Sequence, residues 1–187
     1  DIARYGLGAA GEPTQGAGAV AMVVSADPQV MRLDPDVGYF TEDVMDFWRP
    51  NYRDEALVDG KYSIKVYLNA LEHCWEEYAR HTGARFEDFD HFCYHLPFSR
   101  MGTKAHLHLA RHTDADLDSK SLQRQVDPSL AYNRVTGNAY TASLYFGLLS
   151  LLDQPDLDLD GARVGCFSYG SGCMGAFFSG TVTPGYR

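Results

Sequence analysis

No apolar stretch in this chain reaches the about 20 residues that a helix needs to cross a bilayer, and no secretory or transit leader is recognisable. Cations are scarce. Lys and Arg number 16 against 25 Asp and Glu, a formal net charge of -9, so long-range repulsion opposes nucleic acid or an anionic membrane surface as partner. Cys74, Cys93, Cys166 and Cys173 sit inside apolar runs with no C-x-x-C pair, which indicates neither a zinc knuckle nor a disulfide framework. Four reduced thiols fit a cytoplasmic protein. No G-x-S-x-G elbow occurs, which removes the usual α/β hydrolase reading. Low-complexity segments and short-period repeats are lacking too. The chain starts at Asp1 and not at Met, so it reads as beginning within a longer protein.

What is present suffices for a sizeable core, with 45% of 187 residues hydrophobic. Residues 6–19 are rich in glycine, with Pro13, and read as a loop that brings backbone close to a neighbour or ligand. The apolar run Ala19 to Val24 then predicts a buried central strand. A phosphate-cradling loop is the sharper alternative, but no Lys-Ser/Thr follows and a strand, not a helix, comes next. Val30 to Leu33 predicts another strand. Asp43 to Arg53 is aromatic and basic without a period, either a binding lip or packing over a core edge.

Ile64, Leu68, Leu71, Trp75 and Tyr78 recur at steps of three and four and predict a helix, with Ser63 as N-cap and Gly83 as the stop. Glu72, Glu76 and Glu77 read as its solvated face. Phe89 to Phe98 predicts a strand that delivers His95 to a turn stopped by Pro97, which is how a fold aims an imidazole into a cleft. Arg100 to His112 predicts the next helix. His106, His108 and His112 invite a metal reading, and His108 and His112 suit one helix face, but no carboxylate lies on that face before Asp114, so solvated histidines are the reading and no metal site is assigned. Thr113 to Pro128 is polar, a loop or short helix. Gly137 to Leu152 predicts a helix with Asn138 in its first turn, either a cap or a donor to a ligand oxygen. Arg163 to Ser168 and Cys173 to Val182 predict paired strands across a Tyr169 to Gly172 turn. Together these make a layered α/β protein of two related halves.

Six ordered motifs carry a resemblance. They are Gly11 to Met22, Asp46-Phe47-Trp48-Arg49-Pro50, Val58-Asp59-Gly60, His95-Leu96-Pro97-Phe98, Gly137 to Ser143, and Phe167-Ser168-Tyr169-Gly170-Ser171-Gly172. In order and spacing they resemble the 3-hydroxy-3-methylglutaryl (HMG) synthases of the thiolase-like superfamily, over almost the whole chain. The resemblance implies an incomplete thiolase-like αβαβα architecture. Residues 1–88 would supply the remainder of the N-terminal half plus a connecting helical region, and residues 89–187 the C-terminal half.

It also implies a reaction, the aldol condensation of an acetyl thioester with a β-ketoacyl thioester. A cysteine carries the acetyl group, a glutamate removes a methyl proton, and the carbanion equivalent adds to the ketone. His95 matches the family's acid toward the developing alkoxide, a task suited to a group titrating near neutrality. Asn138, Ser171, Pro97 and Phe98 match substrate-contacting positions. Arg100, Lys104 and Arg49 would meet the phosphates of CoA or of a carrier's phosphopantetheine. The family's nucleophilic cysteine and glutamate lie upstream of Gly11, and no cysteine here falls in the nucleophile motif, so the chain alone is expected to be inactive.

Residues 47–53 and 58–63 look more like the branch that installs β-branches on polyketide chains held by acyl carrier proteins, and that branch is favoured. Its basic docking surface would draw on Arg49, Arg53, Lys61, Lys65, Arg100 and Lys104. Mevalonate-pathway HMG-CoA synthase and a non-catalytic thiolase-like subunit remain alternatives. Homodimerisation is implied by the family alone. No cofactor is expected beyond the thioester substrates themselves.

Overall fold

A computed structural model describes residues 4–187. Its main sheet has four strands in the order β1 (Met31–Thr41), β6 (Met174–Val182), β5 (Arg163–Gly170) and β4 (His91–Tyr94). β4 and β5 pair in parallel and the other neighbours antiparallel. β1 is hydrogen-bonded along β6, so residues before and after position 88 share one sheet. β2 (Phe47–Trp48) and β3 (Leu57–Val58) form a separate small hairpin.

Side-chain alternation assigns each face of the sheet its own cover. Phe92, Tyr94, Phe167, Tyr169 and Phe177 point into a cluster with Leu71, Trp75 and Tyr78 of α1 (Gly60–Thr82) and with Met101 and Leu109 of α2 (Arg100–His112). Cys93, Cys166, Val164 and Val182 point the other way, against Leu144, Leu151 and Leu152 of α5 (Ala142–Leu152). The result is helix, sheet and helix in three layers, a mixed α/β arrangement. α3 (Ser119–Val126) and α4 (Ala131–Thr136) join α2 to α5. They belong to the long crossover that parallel pairing of β4 and β5 requires.

α1 ends as its sequence predicts, with Gly83 at φ 70° and its N–H on the Ala79 carbonyl. Its start differs: Asp59 is the N-cap, its side chain accepting from Tyr62 N at 3.1 Å, and Ser63 lies inside the helix. α2 matches its expected span. α5 begins at Ala142 and not at Gly137, because Gly137 at φ 72° and Tyr140 at φ 54° leave helical geometry between α4 and α5. α3 resolves the polar segment after Thr113 into a short helix capped by Asp118.

The largest departure is at residues 19–24. They form no strand and are mostly exposed, Val23 at 97% and Val24 at 92%. A β-branched apolar run becomes a buried strand only where neighbours provide both a ladder and a cover. The described residues provide neither. Among them, no helix is long and apolar enough to cross a membrane.

Candidate active site

Parallel pairing of β4 with β5 brings their carboxyl ends to one edge of the sheet, the position where α/β sheets offer a crevice. His95 follows β4 directly. Its main-chain N–H donates to the Phe167 carbonyl at 2.7 Å, and its own carbonyl accepts the Tyr67 hydroxyl at 2.9 Å. His95 is 8% exposed, with ring Nδ1 at 3.2 Å from Ser143 Oγ and the rings of Tyr169 and Tyr67 at 6.1 and 6.4 Å. Burial lowers its pKa to about 4, opposed in part by the main-chain carbonyl of Tyr140. The expected near-neutral titration is therefore corrected: burial favours the neutral imidazole at pH 7.

Asn138 is buried in the turn before α5. Its Oδ1 accepts from Tyr140 N at 2.9 Å, so Nδ2 is the group that remains for a ligand oxygen. The turn is tied to the glycine-rich loop: Asn138 N donates to the Thr14 carbonyl at 2.9 Å and Gly16 N to the Asn138 carbonyl at 3.0 Å. A Cβ on Gly16 would sit 1.9 Å from the Thr136 carbonyl oxygen. Glycine at 16 is thus a close approach of two backbones, one of the roles read from sequence.

Ser171 lies exposed on the turn between β5 and β6. Tyr169 connects it inward. Burial raises the pKa of this phenol, the Asp46 carboxylate raises it further, and the Ser171 hydroxyl lowers it. Asp46 is fully buried, with Oδ2 accepting from Ser63 Oγ at 2.8 Å and Tyr169 OH at 3.0 Å, and Oδ1 from Gly172 N at 3.0 Å. The sequence reading missed Asp46 as a site residue. Its signal was an acid alone in the apolar run Val44 to Trp48.

Pro97 and Phe98 are half-buried beside His95, and Arg100 and Lys104 are exposed on the first turns of α2, with Lys104 Nζ 6.0 Å above the Phe98 ring. Arg49 is separate, in the segment between β2 and β3, where its Nη1 donates to the Arg53 carbonyl at 2.9 Å. The structure groups His95, Asn138, Ser143, Tyr169 and Ser171 through shared contacts.

Residues 33–124 and 111–186 match the family model "Hydroxymethylglutaryl-coenzyme A synthase C terminal". The chain belongs to the HMG-CoA synthase family. It is 42% identical over 188 residues to a hydroxymethylglutaryl-CoA synthase of Enterococcus faecalis, covering 100% of this chain and 49% of the relative. It is 39% identical over 180 residues to the polyketide biosynthesis 3-hydroxy-3-methylglutaryl-ACP synthase PksG of Bacillus subtilis, covering 92% and 42%. A solved structure of MvaS in complex with 3-hydroxy-3-methylglutaryl coenzyme A superposes with a TM-score of 0.90 at 43% identity, over 100% of this chain and 51% of that one. The chain spans about half the length of the relatives it matches, and the architecture is that of a thiolase-like HMG synthase's C-terminal half.

Within this HMG synthase half, the cysteines do not make a nucleophile. All four are buried. Burial pushes the Cys74 thiol up to about 12 and raises Cys173, while a hydrogen bond with the Cys166 side chain, and then burial, raises Cys93. A nucleophilic thiol needs the opposite shift. The α2 histidines differ from expectation. His106 is buried between Tyr94 OH at 2.9 Å and Gln125 Oε1 at 3.0 Å. His108 and His112 face Glu72 at 2.7 Å and Glu76 at 3.1 Å across the contact with α1. The carboxylates that α2 lacks come from the neighbouring helix. Among the described residues, no group of three or more His, Cys, Asp or Glu is arranged to hold a metal.

Proposed function

We propose that this chain is the C-terminal half of an HMG synthase catalysing aldol condensation of an acetyl thioester with a β-ketoacyl thioester. The observation that carries the reading is the buried neutral imidazole of His95 at the sheet's carboxyl edge, with the Asn138 turn and the Tyr169–Ser171 turn beside it. In this reading the methyl carbon of an enzyme-bound acetyl thioester, its proton taken by a base, forms a bond to the acceptor's ketone carbon. The ketone oxygen gains negative charge and takes its proton from the neutral His95 ring, which regains one from solvent. Asn138 Nδ2 donates to the acyl oxygen, and fixed donors of this kind lower the barrier. Water then hydrolyses the cysteine thioester and frees the product. The cysteine and the base come from outside these 187 residues, so the chain by itself does not turn over.

CoA thioesters are the first reading for the substrates, supported by identity to an HMG-CoA synthase over the whole chain. Carrier-protein thioesters, favoured by the sequence motifs, are the second, supported by the similarity to PksG. The exposed cations Arg100 and Lys104 serve either, because both present phosphate groups. A cytoplasmic homodimer completes the reading.

Intact-mass spectrometry of the complete polypeptide, mixed in parallel with acetyl-CoA and with acetyl carrier protein, tests it. Faster acetylation from acetyl-CoA supports the first reading and faster acetylation from the carrier supports the second. No adduct with either, on a polypeptide that includes the upstream segment, refutes catalysis and leaves a non-catalytic thiolase-like subunit.

A further inference from the structure

We infer that Ser143 is the positioning residue for His95, holding Nδ1 so that Nε2 is the ring nitrogen presented to the substrate oxygen. The inference about ring orientation rests on geometry alone, and its catalytic consequence rests on the synthase reading above. Ser143 is fully buried at the start of α5. Its Oγ accepts the Leu96 main-chain N–H at 3.0 Å and stands 3.2 Å from His95 Nδ1. One hydroxyl therefore grips both the residue that carries the imidazole and the residue that follows it.

The hydroxyl is itself rigidly mounted. Ser143 N donates to the Tyr140 carbonyl at 2.9 Å, and Asn133 Nδ2 donates to the Ser143 carbonyl at 3.0 Å. Through Tyr140 the mount reaches the Asn138 turn, whose Oδ1 accepts from Tyr140 N. Ser143 thus fixes the imidazole and the Asn138 amide relative to each other. Two groups that act in one bond-forming step need that fixed relation, since misplacement by about 1 Å costs roughly 100-fold. The Tyr140 main-chain carbonyl also reaches the ring, where it can only accept a ring N–H, and the Tyr67 hydroxyl is taken up by the His95 main-chain carbonyl. Neither replaces a hydroxyl at Nδ1.

The test uses the complete polypeptide with its upstream segment, labelled with ¹⁵N in histidine, and compares Ser143→Ala and Ser143→Thr with wild type. Ser143→Ala should shift the His95 Nδ1 resonance and its titration, and slow condensation about 10- to 100-fold, while acetyl-enzyme formation followed by mass stays near wild type. Ser143→Thr, which keeps the hydroxyl, should recover the Nδ1 resonance and most of the condensation rate. An unchanged His95 resonance and rate in a folded Ser143→Ala protein overturns the inference, and so does equal loss in both variants. If Ser143→Ala fails to fold, a wild-type Nδ1 with the ¹⁵N shift of a nitrogen lacking a hydrogen-bond partner overturns it. Failure of the wild type to acetylate at all would sink the synthase reading while the ring measurement still decides the role of Ser143.

Discussion

The carboxylate of Asp46 accepts the main-chain N–H of Gly172, 126 positions away in sequence, at 3.0 Å. The same carboxylate takes Ser63 Oγ and Tyr169 OH. One buried acid therefore pins the turn carrying Ser171, the tyrosine beside His95 and the first part of α1. Asp46→Asn replaces one acceptor oxygen by a donor facing donors. Stability should drop by about 2 kcal/mol, the usual consequence of leaving buried polar groups unpaired. Urea unfolding of the intact protein checks this, and a loss below a few tenths would mean the three bonds are not held together in solution.

His95→Ala should leave acetyl transfer largely intact and slow condensation by roughly 100-fold or more, the span of a positioned proton donor. Asn138→Ala should act in the same direction. Rapid-quench measurement of the two half-reactions separates them. Equal loss in both would refute the assigned roles.

His95 and His106 both fall to about 4 by burial, against an ordinary value of 6.5. Between those limits the unfolded chain binds more protons than the folded one, so stability rises with pH there. On acidification the loss begins near pH 6.5 and is complete near pH 4, on the order of 3 kcal/mol per histidine. Urea midpoints measured from pH 7.5 to 4 should trace this slope, and replacing His106 with Gln should flatten it. A pH-independent midpoint would show that the rings are solvated.

Gly16→Ala drives a methyl against the Thr136 carbonyl. The glycine-rich loop must then move away from the Asn138 turn, at a cost of about 1–3 kcal/mol typical of overpacking. Thermal unfolding and the condensation rate should fall together, because the displaced turn carries Asn138. Retention of both would mean that the loops separate without consequence.

Arg100→Glu combined with Lys104→Glu should raise the KM for thioester substrates about tenfold with little change in kcat, as expected when charge-assisted phosphate contacts are lost. The wild-type KM should rise with ionic strength, and the double variant's should not. Arg49→Glu, on the separate hairpin, serves as comparison.

Local order was legible where a single segment sets it. The three- and four-residue steps from Ile64 to Tyr78 require a helix whatever its surroundings, and Gly83 stops it because an αL position follows. Strand pairing across the Tyr169–Gly172 turn is likewise a short-range property, and β5 and β6 form there. His95, read as delivered by an apolar strand to a proline-stopped turn, does follow β4 directly, and the six ordered motifs placed the chain in its family.

Tertiary structure decided whatever depends on a partner distant in sequence. The run Ala19 to Val24 has strand composition, yet a strand also needs a neighbour, and the described residues supply none. Ser63 has cap chemistry, but Asp59 holds the cap and Ser63 turns to Asp46. Glu72 and Glu76 looked solvated until α2 packed against them. The titration of His95 is set by the layers that bury it, not by its neighbours in sequence. Periodicity and turn chemistry act over a few residues, so sequence determined them. Burial and hydrogen-bond partners act across tens to a hundred positions, and only the packed layers fix them.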